Sequence, residues 1–198
     1  MSFQDTYLQN KDTLNVFCEV GVHFWKDCRL VQQINDSKKV ILVEPLLRCV
    51  QDLYANIKDK KSTILYPVAV TDKIGSTIIF DEGPSAFVEE VRGYAPCHQN
   101  GYYDVPNSRQ ISPHEILRVP TVTFDVVDPG NIDVLLIDTE GAEFFVLKNL
   151  ISRPKIIAVE THSGNYKNAY MNQIFDWMNS NNYSIWYTTD SDTFFIKK

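Results

Sequence analysis

The sequence predicts an α/β domain built on a mostly parallel sheet, and three observations carry that prediction. Largely apolar runs recur, LNVFCEV at 14–20, VILV at 40–43 and VLLI at 134–137, as in strands buried on both faces. Segments of helical spacing alternate with these runs, the rhythm of strand–helix–strand units. An acid stands at each of four strand ends: Glu19, Glu44, Asp138 and Glu160. A parallel sheet brings such ends to one edge, where ligands of open α/β sheets collect.

The elements follow in order. Residues 1–13 are polar, with Phe3, Tyr7 and Leu8 as anchors for a short helix against the sheet edge. Leu14–Val20 reads as the first strand and leads into Gly21. The spacing of Leu30, Val31 and Ile34 predicts a helix over Lys26–Asn35. Lys39–Val43 is the second strand, ending in Glu44-Pro45. A helix over Leu46–Ile57 follows, with a stripe of Leu47, Val50, Leu53, Tyr54 and Ile57. Thr63–Val70 reads as a third strand, and Thr77–Phe80 as a short one after the turn Asp72-Lys73-Ile74-Gly75.

Residues 82–118 break the rhythm with Gly83-Pro84, Gly93, Pro96, Gly101, Pro106 and Pro113. Tyr94, His98, Tyr102, Tyr103 and His114 lie among them. An irregular insertion of this length is either functional, here a lid over a sugar-like or planar ligand, or a surface excursion packed down by its tyrosines. The fold resumes with a short strand at Val119–Phe124 and the apolar run Val134–Ile137. After Asp138, Glu140, Gly141 and Glu143, helical spacing returns in Phe144, Val146, Leu147 and Leu150. Three carboxylates crowded into one turn repel unless a cation, a proton or a hydroxylated ligand accepts them. Glu143 suits the first turn of a helix by its charge alone. Lys155–Val159 is a further strand, ending in Glu160-Thr161-His162. Residues 165–183 read as a helix with Tyr170, Ile174, Trp177 and Met178 inward. Tyr183–Thr188 and Thr193–Lys197 close the chain as an antiparallel pair.

At 198 residues and 44% hydrophobic, the chain suits one well-buried domain over 1–198. A net charge of −6 argues against binding phosphate backbones, so no nucleic-acid partner is expected. Lys58, Lys60 and Lys61 cluster where a helix C-terminus favours cations. Cys18, Cys28, Cys49 and Cys97 are scattered without zinc-like or redox spacing. The amino terminus lacks the pattern of a signal peptide, and no apolar run approaches the ~20 residues of a membrane span. A cytoplasmic protein with reduced thiols and no membrane partner is expected.

Each strand end suits a chemistry. Gly21 lets backbone come close to a cofactor, and Glu44 can accept ribose hydroxyls of an adenosine. Asp138 can hold a cationic or hydroxyl-bearing group, and His162 can take a proton near neutral pH, or be a satisfied structural histidine. An NAD-dependent oxidoreductase is disfavoured, since no G-x-G-x-x-G follows the first strand.

LIDTEGAEFFVLKNL with RPKIIAVETH, preceded by VFCEVGV, VILVEP and PVAVTD in that order, resembles the FkbM-like methyltransferases over about Asn15–Lys198. The resemblance implies a Rossmann-like seven-stranded methyltransferase sheet, mostly parallel with an antiparallel last strand. It implies S-adenosylmethionine as cofactor and O-methylation of a hydroxyl on a sugar or small-molecule acceptor. Carried over by position, Glu19, Gly21 and His23 fall in the cofactor loop and Glu44 at the ribose. Val68 and Ala69 fall near the adenine, Asp138 and Glu140 at the methionine end and acceptor. Glu160 and His162 lie across the cleft, with His162 as the expected base and Asp138 or Glu160 orienting or replacing it.

One departure bears on activity. The family's first loop continues with asparagine and a second glycine, where this chain has His23 and Trp25. Tryptophan takes the left-handed conformation at a cost, and its bulk could fill part of the groove. The loop is therefore rearranged, with Asp27 and Arg29 helping, or the cofactor binds weakly. A non-catalytic binding protein on a methyltransferase fold is the alternative reading. No metal is required by the spacing, although Asp138, Glu140, Glu160 and His162 would suit magnesium or manganese.

Overall fold

The computed structural model describes residues 12–81, 85–94 and 116–198. Its main sheet has seven strands: β1 (Val16–Val20), β2 (Lys39–Val43), β3 (Thr63–Tyr66), β8 (Val134–Ile137), β9 (Ile156–Glu160), β12 (Tyr183–Thr188) and β13 (Asp192–Lys197). Their spatial order is β12-β13-β9-β8-β1-β2-β3. The five strands from β3 to β9 are parallel, and β13 enters antiparallel between β9 and β12. The closing antiparallel pair expected from the sequence is thus present.

Strand alternation sends successive side chains to opposite faces. Val16, Cys18 and Val20 join one core cluster, with Val146, Leu147, Ile174 and Met178. Phe17 joins the other, with Ile34, Leu53 and Ile57. The contributing helices are α1 (Val31–Asn35), α2 (Leu47–Ile57), α3 (Glu143–Lys148) and α4 (Met171–Ser180). Both faces are covered, which is why β8 reads as an unbroken apolar run and β1 as one interrupted only by Glu19.

Several expected elements differ. The helix over Lys26–Asn35 is a 3₁₀ turn at Trp25–Asp27 and then α1, separated where Cys28 and Arg29 turn towards Glu19. In α2 the buried positions are Cys49, Leu53 and Ile57, whereas Leu47 and Tyr54 are exposed. The expected third strand breaks at Pro67, which has no N–H for a ladder. Its second half, β4 (Ala69–Val70), joins a separate four-stranded sheet with β5 (Gly75–Phe80), β6 (Phe87–Val88) and β7 (Ile116–Val122), in the order β4-β7-β5-β6. Part of the stretch expected to be irregular therefore pairs as strand, since Phe80, Phe87, Val88 and Val119 bury together. His98, Tyr102, Tyr103, His114 and the amino-terminal anchors lie outside the described residues.

The helix expected over 165–183 starts only at Met171, because β10 (His162–Ser163) and β11 (Tyr166–Lys167) form a small hairpin around Gly164. Gly164 has φ 58°, the left-handed conformation such a reversal requires.

Candidate active site

The carboxyl ends of β1, β2 and β8 open on a cavity of about 350 Å³. Glu19, Gly21, His23 and Arg29 line one side, Glu44 another, and Asp138 and Glu140 a third. Val68, Ala69, Ile79 and Val88 supply an apolar wall. All eight distinct positions expected at a cofactor thus line one cavity, six of them at the ends of the parallel strands and Val68 and Ala69 where the chain enters the second sheet. Among those expected at the chemistry, Asp138 lines the cavity, whereas Glu160 and His162 do not.

Glu19 is 1% exposed and its carboxylate is engaged by the protein itself. It accepts hydrogen bonds from the Arg29 backbone N–H at 3.1 Å and Nε at 3.2 Å, and from the Cys28 thiol at 3.5 Å. Burial pushes its pKa up, partly countered by Arg29. Arg29 also donates to Asp192 at 3.3 Å and stands 4.0 Å from Asp138. One guanidinium therefore links the ends of β1, β8 and β13. Sequence reasoning placed Arg29 near the cofactor loop but carried no sign of the link to Asp192, which is 163 residues away.

Gly21 has φ 83°, and a Cβ there would fall 1.6 Å from the Asp138 carbonyl oxygen. The glycine is required by the neighbouring strand end as well as by any ligand in the cavity. Past it, the left-handed residue is His23 (φ 58°) rather than Trp25. The His23 backbone N–H donates to Glu44 at 2.8 Å, and its Nδ1 pairs with Asp27 at 2.8 Å. Trp25 donates its backbone N–H to Asp52 at 2.7 Å, and its side chain packs with the Phe17–Leu53 core. It is not part of the cavity wall. The rearranged loop leaves the groove open, so the expected obstruction does not arise.

Glu44 is 4% exposed and accepts the backbone N–H groups of His23 and Leu46, the latter at 2.9 Å. Burial pushes its pKa up to about 7. Each carboxylate oxygen has a second lone pair, so the group can still accept a hydroxyl.

At the other end, Asp138, Glu140 and Glu160 each place a carboxylate oxygen within 4.8 Å of the others. Glu140 and Glu160 each carry a buried Oε2 with no hydrogen-bond partner among the described residues. Burial and the neighbouring carboxylates push Glu140 up to about 9 and Glu160 up to about 11. Asp138 is raised by burial and held back by Arg29. Glu143 is fully buried and braces the turn, accepting Thr139 N–H at 2.8 Å, Gly141 N–H at 3.1 Å and the Asn168 amide. It is a structural acceptor rather than a surface charge on a helix end, and it leaves Glu140 in the left-handed region at φ 56°.

His162 does not join this group. Its Nδ1 lies 2.8 Å from the Thr161 hydroxyl, and its Nε2 lies 3.1 Å from the Thr189 carbonyl. A carbonyl only accepts, so Nε2 is the donor to Thr189, and Nδ1 pairs with the Thr161 hydroxyl. Both nitrogens meet protein partners, and the residue is part of neither the cavity wall nor the group of three carboxylates.

The sequence pattern of the family described as "Methyltransferase FkbM domain" matches residues 16–185. The chain belongs to the FkbM methyltransferase family. S-adenosylmethionine is the cofactor of this family and of this member. Comparison with curated proteins gives no match. Among solved structures, the methyltransferase domain of bacterial CtHen1-CN is similar at 9% identity and a TM-score of 0.50, covering 98% of this chain and 94% of that one. Precorrin-6y C5,15-methyltransferase from Geobacter metallireducens GS-15 is 10% identical with a TM-score of 0.42, covering 98% and 88%. The first likeness supports the fold alone: a methyltransferase-like α/β architecture on a mostly parallel sheet.

The residues present in this FkbM-family member fit the cofactor. Glu44 would offer carboxylate oxygens to ribose hydroxyls, and Val68, Ala69, Ile79 and Val88 would form an apolar slot for a planar base. Glu140, with a buried oxygen that has no partner among the described residues, and Asp138 would face a cationic amino-acid end. Among the described residues, no helix is long and apolar enough to cross a membrane.

Proposed function

We propose that this chain methylates a hydroxyl oxygen of a sugar or small-molecule acceptor. We take its sheet as the Rossmann-like methyltransferase sheet, a reading supported by the strand order and the antiparallel β13. One observation carries the oxygen preference: three carboxyl groups end β8 and β9 beside the cofactor groove. Carboxylates of this kind bind hydroxyl groups by accepting their protons, and they hold an acceptor in line with a methyl donor.

The cofactor, when bound, supplies an electrophilic methyl carbon on a sulfonium leaving group. Alignment then accounts for most of the catalysis. Glu44 and the apolar wall fix one end of the groove, and Asp138 with Glu140 fixes the other. Asp138 is the carboxylate best placed to take the acceptor's proton. It lines the cavity 4.0 Å from Arg29, which favours its ionised form, whereas Glu160 is not part of the cavity wall.

The test is incubation with methyl-labelled S-adenosylmethionine and a panel of hydroxylated, amino and thiol acceptors, with the product's new methyl located by NMR. A methyl on oxygen supports the reading, and transfer confined to nitrogen or sulfur overturns it. The non-catalytic alternative rested on Trp25 closing the groove, and the packing of Trp25 away from it removes that ground.

A further inference from the structure

The acids that end β8 and β9 are under-neutralised. Asp138, Glu140 and Glu160 stand within 4.8 Å of one another through one oxygen each. Glu160 is 7% exposed, its carboxylate faces this group, and its buried Oε2 has no partner among the described residues. Glu140 has a second such oxygen. The hydroxyl of Tyr166, a residue with no exposed surface, is also buried without a partner, and all four nearby carboxylates, Glu143 included, act on it. The nearest cation, Arg29, is 4.0 Å from Asp138 and already hydrogen-bonds Glu19 and Asp192. One guanidinium serves too many anions for the group to be self-sufficient.

We propose that Asp138, Glu140 and Glu160 form a site for a hard divalent cation, Mg²⁺ or Mn²⁺, bound through three carboxylate oxygens. All-oxygen ligation selects hard cations over zinc or copper. The spacing is close to what such ions need. In an octahedron with metal–oxygen distances of about 2.1 Å, adjacent ligands stand about 3.0 Å apart and opposite ones about 4.2 Å, so three oxygens within 4.8 Å of one another close in by no more than about 2 Å. Small side-chain movements therefore complete the site for Mg²⁺ or Mn²⁺. His162 is not a ligand, because both its nitrogens are held by Thr161 and Thr189.

The remaining coordination positions take water or acceptor hydroxyls, which a divalent cation makes more acidic. This last role rests on the O-methylation reading, whereas occupancy of the site does not. The structure thus points to an acceptor class with adjacent oxygens able to chelate, such as a vicinal diol.

The test is titration of the metal-stripped protein with MnCl₂, without cofactor or acceptor, followed by the paramagnetic resonance of free Mn²⁺ with Mg²⁺ as competitor. The expected result is one Mn²⁺ per chain, displaced by Mg²⁺ and weakened at least about tenfold in Glu160→Gln and in Glu140→Gln. No binding up to millimolar Mn²⁺ overturns the site, as does equal binding by wild type and both variants. Unchanged melting temperatures of the variants without metal show that any loss is local. Calorimetry with S-adenosylmethionine in metal-free buffer separates the two readings. Cofactor binding without Mn²⁺ binding sinks the metal site alone, and Mn²⁺ binding without cofactor binding sinks the methyl-transfer reading alone.

Discussion

Gly21 and the carbonyl of Asp138 occupy a space with no room for one more carbon. A Cβ on Gly21 would lie 1.6 Å from that oxygen, and the backbone there has φ 83°. The Asp138 N–H donates to Val20 at 2.9 Å, so the carbonyl cannot retreat without breaking the β1–β8 ladder. The ends of these two strands are locked together by an absent side chain.

Gly21→Ala should therefore destabilise the fold by about 3–5 kcal/mol, combining left-handed strain with overpacking of backbone on backbone. Thermal unfolding should show a fall on the order of 10 °C. A loss below about 1 kcal/mol would mean that the loop relaxes freely and that the lock is illusory.

Arg29→Met should cost about 3–5 kcal/mol, because Glu19 is left buried without its cation. The double variant Arg29→Met, Glu19→Gln should recover part of that loss in denaturant titrations. No recovery would show that Arg29 acts through packing instead.

Glu44 gives two pH dependences of opposite sign. Its folded pKa of about 7 lies above the unfolded value near 4.5. The stability it contributes is present below the unfolded value and is lost as pH rises through about 7, by at most ~3 kcal/mol. Cofactor affinity should move the other way, since ribose hydroxyls donate to the ionised carboxylate. Stability curves and calorimetry from pH 5 to 8 should both flatten in Glu44→Gln. Parallel rather than opposed trends in wild type would exclude the ribose role.

Trp25→Ala should leave S-adenosylmethionine affinity within about twofold while costing about 1–3 kcal/mol of stability, since the ring packs in the core rather than the groove. A large gain in affinity would restore the idea that Trp25 obstructs the site.

His162→Ala should cost about 1–2 kcal/mol through its two lost hydrogen bonds. Turnover on an identified acceptor should stay within about threefold of wild type. A loss of a hundredfold or more would return His162 to the chemistry.

The sequence by itself determined the parallel core and its ligand edge. Strands buried on both faces must be apolar throughout, so β1, β2, β8 and β9 announced themselves, and the acids at their ends could only converge. The first loop's departure at His23 and Trp25 was equally legible, but its consequence was not. Which residue turns left-handed, and where the indole goes, depends on Asp52 and on the core beneath the loop. Pro67 marked a break that the apolar pattern on either side concealed, so the second sheet emerged only when β5, β6 and β7 paired around Phe80 and Phe87.

Tertiary structure alone decided the roles of the charged groups. Glu143 became a buried brace because Thr139, Gly141 and Asn168 close around it, and His162 was satisfied by a carbonyl 27 residues away. Arg29 linked strand ends that spacing could not relate. A carboxylate's function is set by which donors, cations and neighbours surround it once desolvated, and those partners come from distant parts of the chain.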